Sequence, residues 1–270
     1  MSNYVKIEIE TSSQDQSEIL IAALSEINYY SFEENKNSLS AFIKEEDFDE
    51  EKLKEILSQK SCTKTIIPET NWNAKWESEF QPIIVDDFVA VRAAFHKPIP
   101  NVQHEIIITP KMSFGTGHHA TTYLMLQQMQ HLNFADKSVL DFGTGTGILA
   151  ILAKKLGAKK VIAIDNDDWS ISNAKENIIT NNGRDIDLFK KDTPDFPETF
   201  DVVLCNINLN VILENTGSLK KLCYQSTEIL LSGFLISDQQ KLLDNFVQQN
   251  FVCKSITQKD NWIAMLLTKC

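Results

Sequence analysis

The chain is 270 residues long, 43% hydrophobic and 23% charged, the balance of a folded globular protein with room for one large or two modest domains. Its formal net charge of −11 argues against a broad electrostatic grip on RNA or DNA, which needs clustered Lys and Arg, and leaves a basic protein as a compatible partner. No apolar run approaches the ~18 residues of a membrane span, residues 1–8 alternate without a signal-peptide core, and the five cysteines show no C-x-x-C pair or metal spacing, so a reducing, cytoplasmic setting is expected.

Tyr4 to Glu10 alternates polar and apolar residues as a strand does, and residues 14–27 carry Ile19, Leu20, Ala23, Leu24 and Ile27 at helical spacing. Residues 31–34 and 38–44, joined by Asn35-Lys36-Asn37, read as a hairpin. Residues 49–60 put Leu53, Ile56 and Leu57 on one helical face, and residues 63–67 form a last strand closed by Pro68. The order β-α-β-β-α-β predicts a small ferredoxin-like α+β domain over residues 1–68. It holds no glycine-rich turn, nucleophile or ligand cluster, so recognition or scaffolding is its expected role.

Residues 69–110 read as a linker and connecting segment. Trp72 and Trp76 fall one turn apart on a short helix and are expected to pack against a neighbouring domain. Short strands are predicted over residues 83–85, 88–91 and 104–109, with a turn at Pro98 and Pro100.

Met112-Ser113-Phe114-Gly115-Thr116-Gly117-His118-His119-Ala120-Thr121-Thr122 then leads into a helix carrying Leu124, Leu126 and Met129. Ser and Thr are N-cap residues, and a helix N-terminus offers free N–H groups to an anion such as a carboxylate. Adjacent His118 and His119 cannot face one ion from a helix, and no cysteine or carboxylate accompanies them at ligand spacing. They are read as turn structure or ligand contacts, and no metal is expected.

The rest of the chain is organised around Val139-Leu140-Asp141-Phe142-Gly143-Thr144-Gly145-Thr146-Gly147-Ile148-Leu149-Ala150. A short apolar run, three glycines at alternate positions and a return to helical spacing predict strand, tight turn and helix, the opening of a nucleotide-binding βαβ unit. The third glycine comes one residue early for a dinucleotide fingerprint. A G-x-G-x-G turn preceded by Asp141 resembles motif I of the class I S-adenosylmethionine-dependent methyltransferases. The next strand, Lys160–Asp165, ends in an acid about 20 residues beyond the glycines, where such folds hold ribose hydroxyls.

The remaining elements alternate as an α/β domain over residues 111–270. Helices are predicted over residues 147–156, ended by Gly157, and 168–181. A strand at 187–189 is followed by Asp192, a candidate for adenine contact. The strand over residues 201–208 carries Asn206 to the carboxyl edge of the sheet, where ligands bind in open α/β folds. Its amide oxygen suits a substrate amine, and capping the next helix is its competing role. Residues 211–231 read as mostly helical, 233–237 as strand, 241–249 as helix, and 251–258 with 261–268 as a closing hairpin.

Phe114-Gly115-Thr116-Gly117-His118, Thr121-Thr122 and the run from Asp141 to Ala150 together resemble the bacterial ribosomal-protein methyltransferases that act on large-subunit protein eleven, at the base of the ribosomal stalk. The resemblance covers essentially the whole chain. It implies a ferredoxin-like N-terminal domain, a short linker and a Rossmann-like catalytic domain. It implies S-adenosylmethionine as cofactor, held by Thr122, Gly143, Gly145, Asp165 and Asn206. Asn206, which resembles the Asn of the N-P-P-Y position in amine and amide methyltransferases, is the implied catalytic residue. The family has Asn-Ile there, as here, but small residues usually follow where this chain has Asn208-Leu209-Asn210. The implied reaction is methyl transfer to lysine and N-terminal amines of that ribosomal protein, by a monomer with no direct nucleic-acid or membrane partner. A lysine of another protein, or a small molecule, is the alternative acceptor.

Overall fold

The computed structural model describes residues 3–58, 60–68, 80–110 and 119–270. Trp72, Trp76 and the Phe114 to His118 motif lie outside them. Contacts divide the chain into two units, Met1–Phe80 and Gln81–Cys270.

The first unit is built on strands β1 (Tyr4–Glu10), β2 (Ser31–Asn35), β3 (Ser38–Lys44) and β4 (Cys62–Ile67), in the order β2-β3-β1-β4, all antiparallel. Alternation places Val5, Ile7 and Ile9 of β1 beside Leu39, Ala41 and Ile43 of β3 on one face. Leu20 and Leu24 of helix α1 (Gln14–Ser25) and Leu53 and Leu57 of α2 (Glu50–Leu57) close over that face. Burial of each large side chain contributes at most about 1.5–3 kcal/mol. Both helices start on side-chain caps, Ser13 accepting from the N–H of Gln16 and Asp49 from those of Glu51 and Lys52. Helix α1 stops two residues short of Ile27, because the chain turns through Asn28 at φ 71°.

The second unit holds a small sheet in the order β5 (Ile83–Val85), β6 (Val89–Ala93), β7 (His104–Ile108). These residues, expected as part of a connecting segment ending at 110, fall within the larger unit. Two asparagines of α5 (Asp168–Thr180 with its C-cap) hold the far end of β7. Asn177 Oδ1 accepts from the N–H of Thr109 at 2.8 Å, and Asn181 accepts from the N–H of Ile107 at 2.9 Å. The N–H and carbonyl of Ile107, and the N–H of Thr109 just past β7, are thereby paired.

The main sheet runs β10 (Ile186–Lys190), β9 (Lys160–Asp165), β8 (Ser138–Phe142), β11 (Phe200–Asn206), β12 (Cys223–Leu235), β14 (Trp262–Lys269), β13 (Phe251–Lys259). The strands from β10 to β12 are parallel, and the β13–β14 hairpin adds antiparallel to β12. Helices α3 (Ala120–Met129), α4 (Ile148–Lys155), α6 (Leu209–Lys221) and α7 (Gln239–Val247) complete the layers. From β8 the chain winds to one edge through β9 and β10, then returns beside β8 as β11. That reversal is a switch point, where a crevice opens at the carboxyl ends of the strands. Among the described residues no helix is long and apolar enough to cross a membrane.

One expected element is corrected. Residues 211–231 are not one helix: α6 ends at Lys221, and β12 begins at Cys223. Ile229, Leu230 and Leu231 are all buried, because β12 lies inside the sheet with both faces covered. Such a continuous apolar run cannot be told from a buried helix by its period.

Candidate active site at the switch point

A cavity of about 510 Å³ opens at the carboxyl ends of β8, β9 and β11. Gly143, Gly145, Asp165, Asp192 and Asn206 line it, together with His119. Thr122 does not. It is fully buried behind the wall, and its hydroxyl accepts from Asn206 Nδ2 at 3.3 Å.

The glycine turn follows from its backbone. Gly143, Gly145 and Gly147 have φ of 76°, 54° and 80°, where a side chain is strained. The N–H groups of Gly143 and Thr144 both donate to Ile164 O at 2.9 Å, which fastens the turn to β9. Gly147 then becomes the N-cap of α4.

Asp165 closes the turn from the next strand. Its Oδ2 accepts from the N–H of Gly145 at 2.8 Å and its Oδ1 from that of Asp167 at 3.0 Å. A carboxylate has about four acceptor sites, so this leaves room for ligand hydroxyls. Asp141, one strand over, is wholly buried. Its Oδ2 accepts from Thr144 Oγ1 at 2.6 Å and from the N–H of Ala150 at 3.2 Å, while its Oδ1 has no partner. Burial pushes its carboxyl up to about 7 against those two hydrogen bonds.

Asn206 ends β11 at 9% exposure. It is not the cap of the helix that follows: that is Asn208, which accepts from the N–H of Val211 at 3.1 Å. The Nδ2 of Asn206 is spent on Thr122, and its Oδ1 is buried without a partner. An unpaired carbonyl in a cavity wall is costly until a donor reaches it.

Of three further lining residues, the sequence raised His119 as turn structure or a ligand contact but marked neither Gly233 nor Trp262. His119, rather than a Ser or Thr, caps α3 through its Nδ1, which accepts from the N–H of Thr121 at 3.3 Å. Its ring meets Trp262, the first residue of β14, edge-on with centroids 4.5 Å apart. Gly233, inside β12, also reaches the cavity. An isolated glycine in a strand is the one available signal, since it marks a bulge or a close backbone approach. Lys191 lines the far end, its Nζ donating to Asp195 O at 2.6 Å and lying 4.3 Å from the Phe196 ring centroid.

Comparison with known proteins converges on one family. Residues 2–270 match the family described as Ribosomal protein L11 methyltransferase (PrmA). Proteins named Ribosomal protein L11 methyltransferase from Porphyromonas gingivalis and Phocaeicola vulgatus are 38% and 36% identical to this chain. The first match covers 93% of this chain and 90% of the relative, and the second covers 92% of each. A crystal structure of ribosomal protein L11 methylase from Lactobacillus delbrueckii subsp. bulgaricus superposes with a TM-score of 0.65 at 28% identity, covering 70% of this chain and 99% of that one.

Proposed function

The chain belongs to the ribosomal protein L11 methyltransferase family, and from that premise we propose that the cavity at its switch point methylates lysine and N-terminal amines of ribosomal protein L11, with Asn206 receiving the acceptor nitrogen. The observation that carries this is the Asn206 carboxamide: its nitrogen is fixed by Thr122, and its buried oxygen has no partner.

The cavity suits S-adenosylmethionine. Its volume falls within the range of small-molecule sites, roughly 300–1,000 Å³. The glycine turn offers bare backbone, Asp165 keeps acceptor sites for ribose hydroxyls, and Phe142, Ile148 and Leu149 supply apolar wall. Asp165 and Asp192 set two carboxylates against one lysine, Lys191, in the lining, a balance suited to a cation. When bound, the cofactor supplies an electrophilic methyl on a sulfonium, which an amine lone pair takes up as the thioether leaves.

This chain's residues then position the two reactants. Gly143, Gly145 and Asp165 hold the cofactor, and Thr122 holds Asn206. The Asn206 oxygen accepts one N–H of the amine and so directs the lone pair. A lysine ammonium, with an ordinary pKa of about 10.4, has no lone pair, so the site acts on the neutral amine. The carboxamide favours that form only weakly, and alignment is its main contribution. The first unit recognises the ribosomal protein, and the chain acts as a monomer in the cytoplasm. Transfer of labelled methyl groups to purified ribosomal protein L11, read amine by amine by mass spectrometry, tests the assignment. Label on lysine and N-terminal nitrogens is expected, and its absence there would contradict it.

A further inference from the structure

Ile207, next to Asn206, sits between two glycines from different strands. A Cβ on Gly233 would fall 2.6 Å from the Ile207 carbonyl carbon and 2.9 Å from its nitrogen, and closer still to its carbonyl oxygen. Real Cβ atoms do not approach backbone so closely, and Gly233 also has φ 99°. On the other side, the Ile207 side chain occupies the space that a Cβ on Gly143 would need. The backbone of Ile207 therefore rests on Gly233 and its side chain on Gly143.

The seat under Ile207 is itself built. Asn206 pairs with Ser232 as the last rung between β11 and β12, and the N–H of Ile207 donates to Ser232 O at 3.2 Å. At Ser232 and Gly233 the pairing of β12 with β14 slips between Leu231 and Phe234. A bulge of this kind re-aims a strand beside a site. Ser232 is fully buried, and its Oγ donates to Ile263 O at 2.7 Å, which pins the bulge to β14. Asn208 then fixes the other end of the turn as the cap of α6. Asn206 is left no slack except about its own side-chain bonds.

We propose that Gly233 is a positioning residue for methyl transfer: by admitting the Ile207 backbone, it sets where the Asn206 carboxamide stands over the cofactor turn. This rests on the assignment of Asn206 to the acceptor amine. Any side chain at Gly233 pushes Ile207, and with it Asn206, off its present seat. A shift of about 1 Å at a reacting centre slows a reaction by about 100-fold. A Cβ on Gly233 meets Ile207 first and not the glycine turn itself, so cofactor affinity should change less than the transfer rate.

The test is a double-mutant cycle between Gly233→Ala and Asn206→Ala. Its readouts are single-turnover methyl transfer, calorimetric affinity for S-adenosylhomocysteine, and the side-chain amide resonance of Asn206. Gly233→Ala alone should slow transfer about 100-fold, keep the affinity within a few-fold, and move the Asn206 resonance. Added to Asn206→Ala it should cost almost nothing more, because both act through one group. Should Gly233→Ala not fold, the cycle is run with Ile207→Ala, which empties the space over Gly143 and should show the same non-additivity. Losses that multiply in the double variant, or an unmoved Asn206 resonance, would overturn the inference. A full transfer rate in Asn206→Ala alone would instead overturn the acceptor assignment, a result separate from a full rate in Gly233→Ala beside a slow Asn206→Ala.

Discussion

Asp165 both closes the glycine turn and faces the cavity, so its removal affects the site twice. Asp165→Ala should weaken S-adenosylmethionine binding more than tenfold, since a charge-assisted acceptor contributes about 1.5–3 kcal/mol. Calorimetry checks this, and unchanged affinity in a folded protein would remove Asp165 from the site. Asp141 gives a prediction in pH. Its carboxyl is raised from 3.8 to about 7 by burial, so the folded state holds a proton that the unfolded chain releases. The stabilisation is full below pH 3.8 and is lost as pH rises through about 7. Asp141→Asn, neutral throughout, should gain in stability relative to the parent between pH 5 and pH 8 in urea titrations; parallel curves would contradict the shift. The sequence marked Asp141, Gly143 and Asp165 because their pattern is local. Gly233 and Trp262 were not marked as site residues, because what defines them is contact with Ile207 and His119, far away in the chain.

Elements with a clear period were readable from the sequence. Alternation in β1 and β3 and helical spacing in α1 and α2 gave the small sheet and its helices. The β13–β14 hairpin was equally plain around Lys259-Asp260. β12 was not, because burial on both faces erased its alternation. The same holds for what α5 does to β7, since a row of asparagines on a helix looks like an ordinary polar face. Asn177 is fully buried, and its Nδ2 also donates to Thr146 O at 2.9 Å, tying β7 to the glycine turn. Asn177→Ala leaves the Thr109 N–H and the Thr146 carbonyl without that partner. It should cost about 2 kcal/mol or more in a denaturant titration. A loss of a few tenths would show that the asparagine row is incidental.

Across the whole molecule, every residue assigned to the cavity lies in Gln81–Cys270, and the first unit has a hydrophobic core of its own. Separate cores predict separable tasks. A fragment beginning at Gln81, once shown to fold by thermal melting, should bind S-adenosylmethionine like the full chain yet methylate ribosomal protein L11 far more slowly. Loss of cofactor binding in the folded fragment would mean the two units form one cooperative site. The full chain also affords the most direct test, because the proposal brings the acceptor and the cofactor together at Asn206 there. Single-turnover transfer to ribosomal protein L11 is measured at saturating S-adenosylmethionine for the parent and for Asn206→Ala. The variant should bind cofactor within a few-fold of the parent and transfer methyl about 100-fold more slowly. Transfer at the parental rate would contradict the placement of the reaction at Asn206.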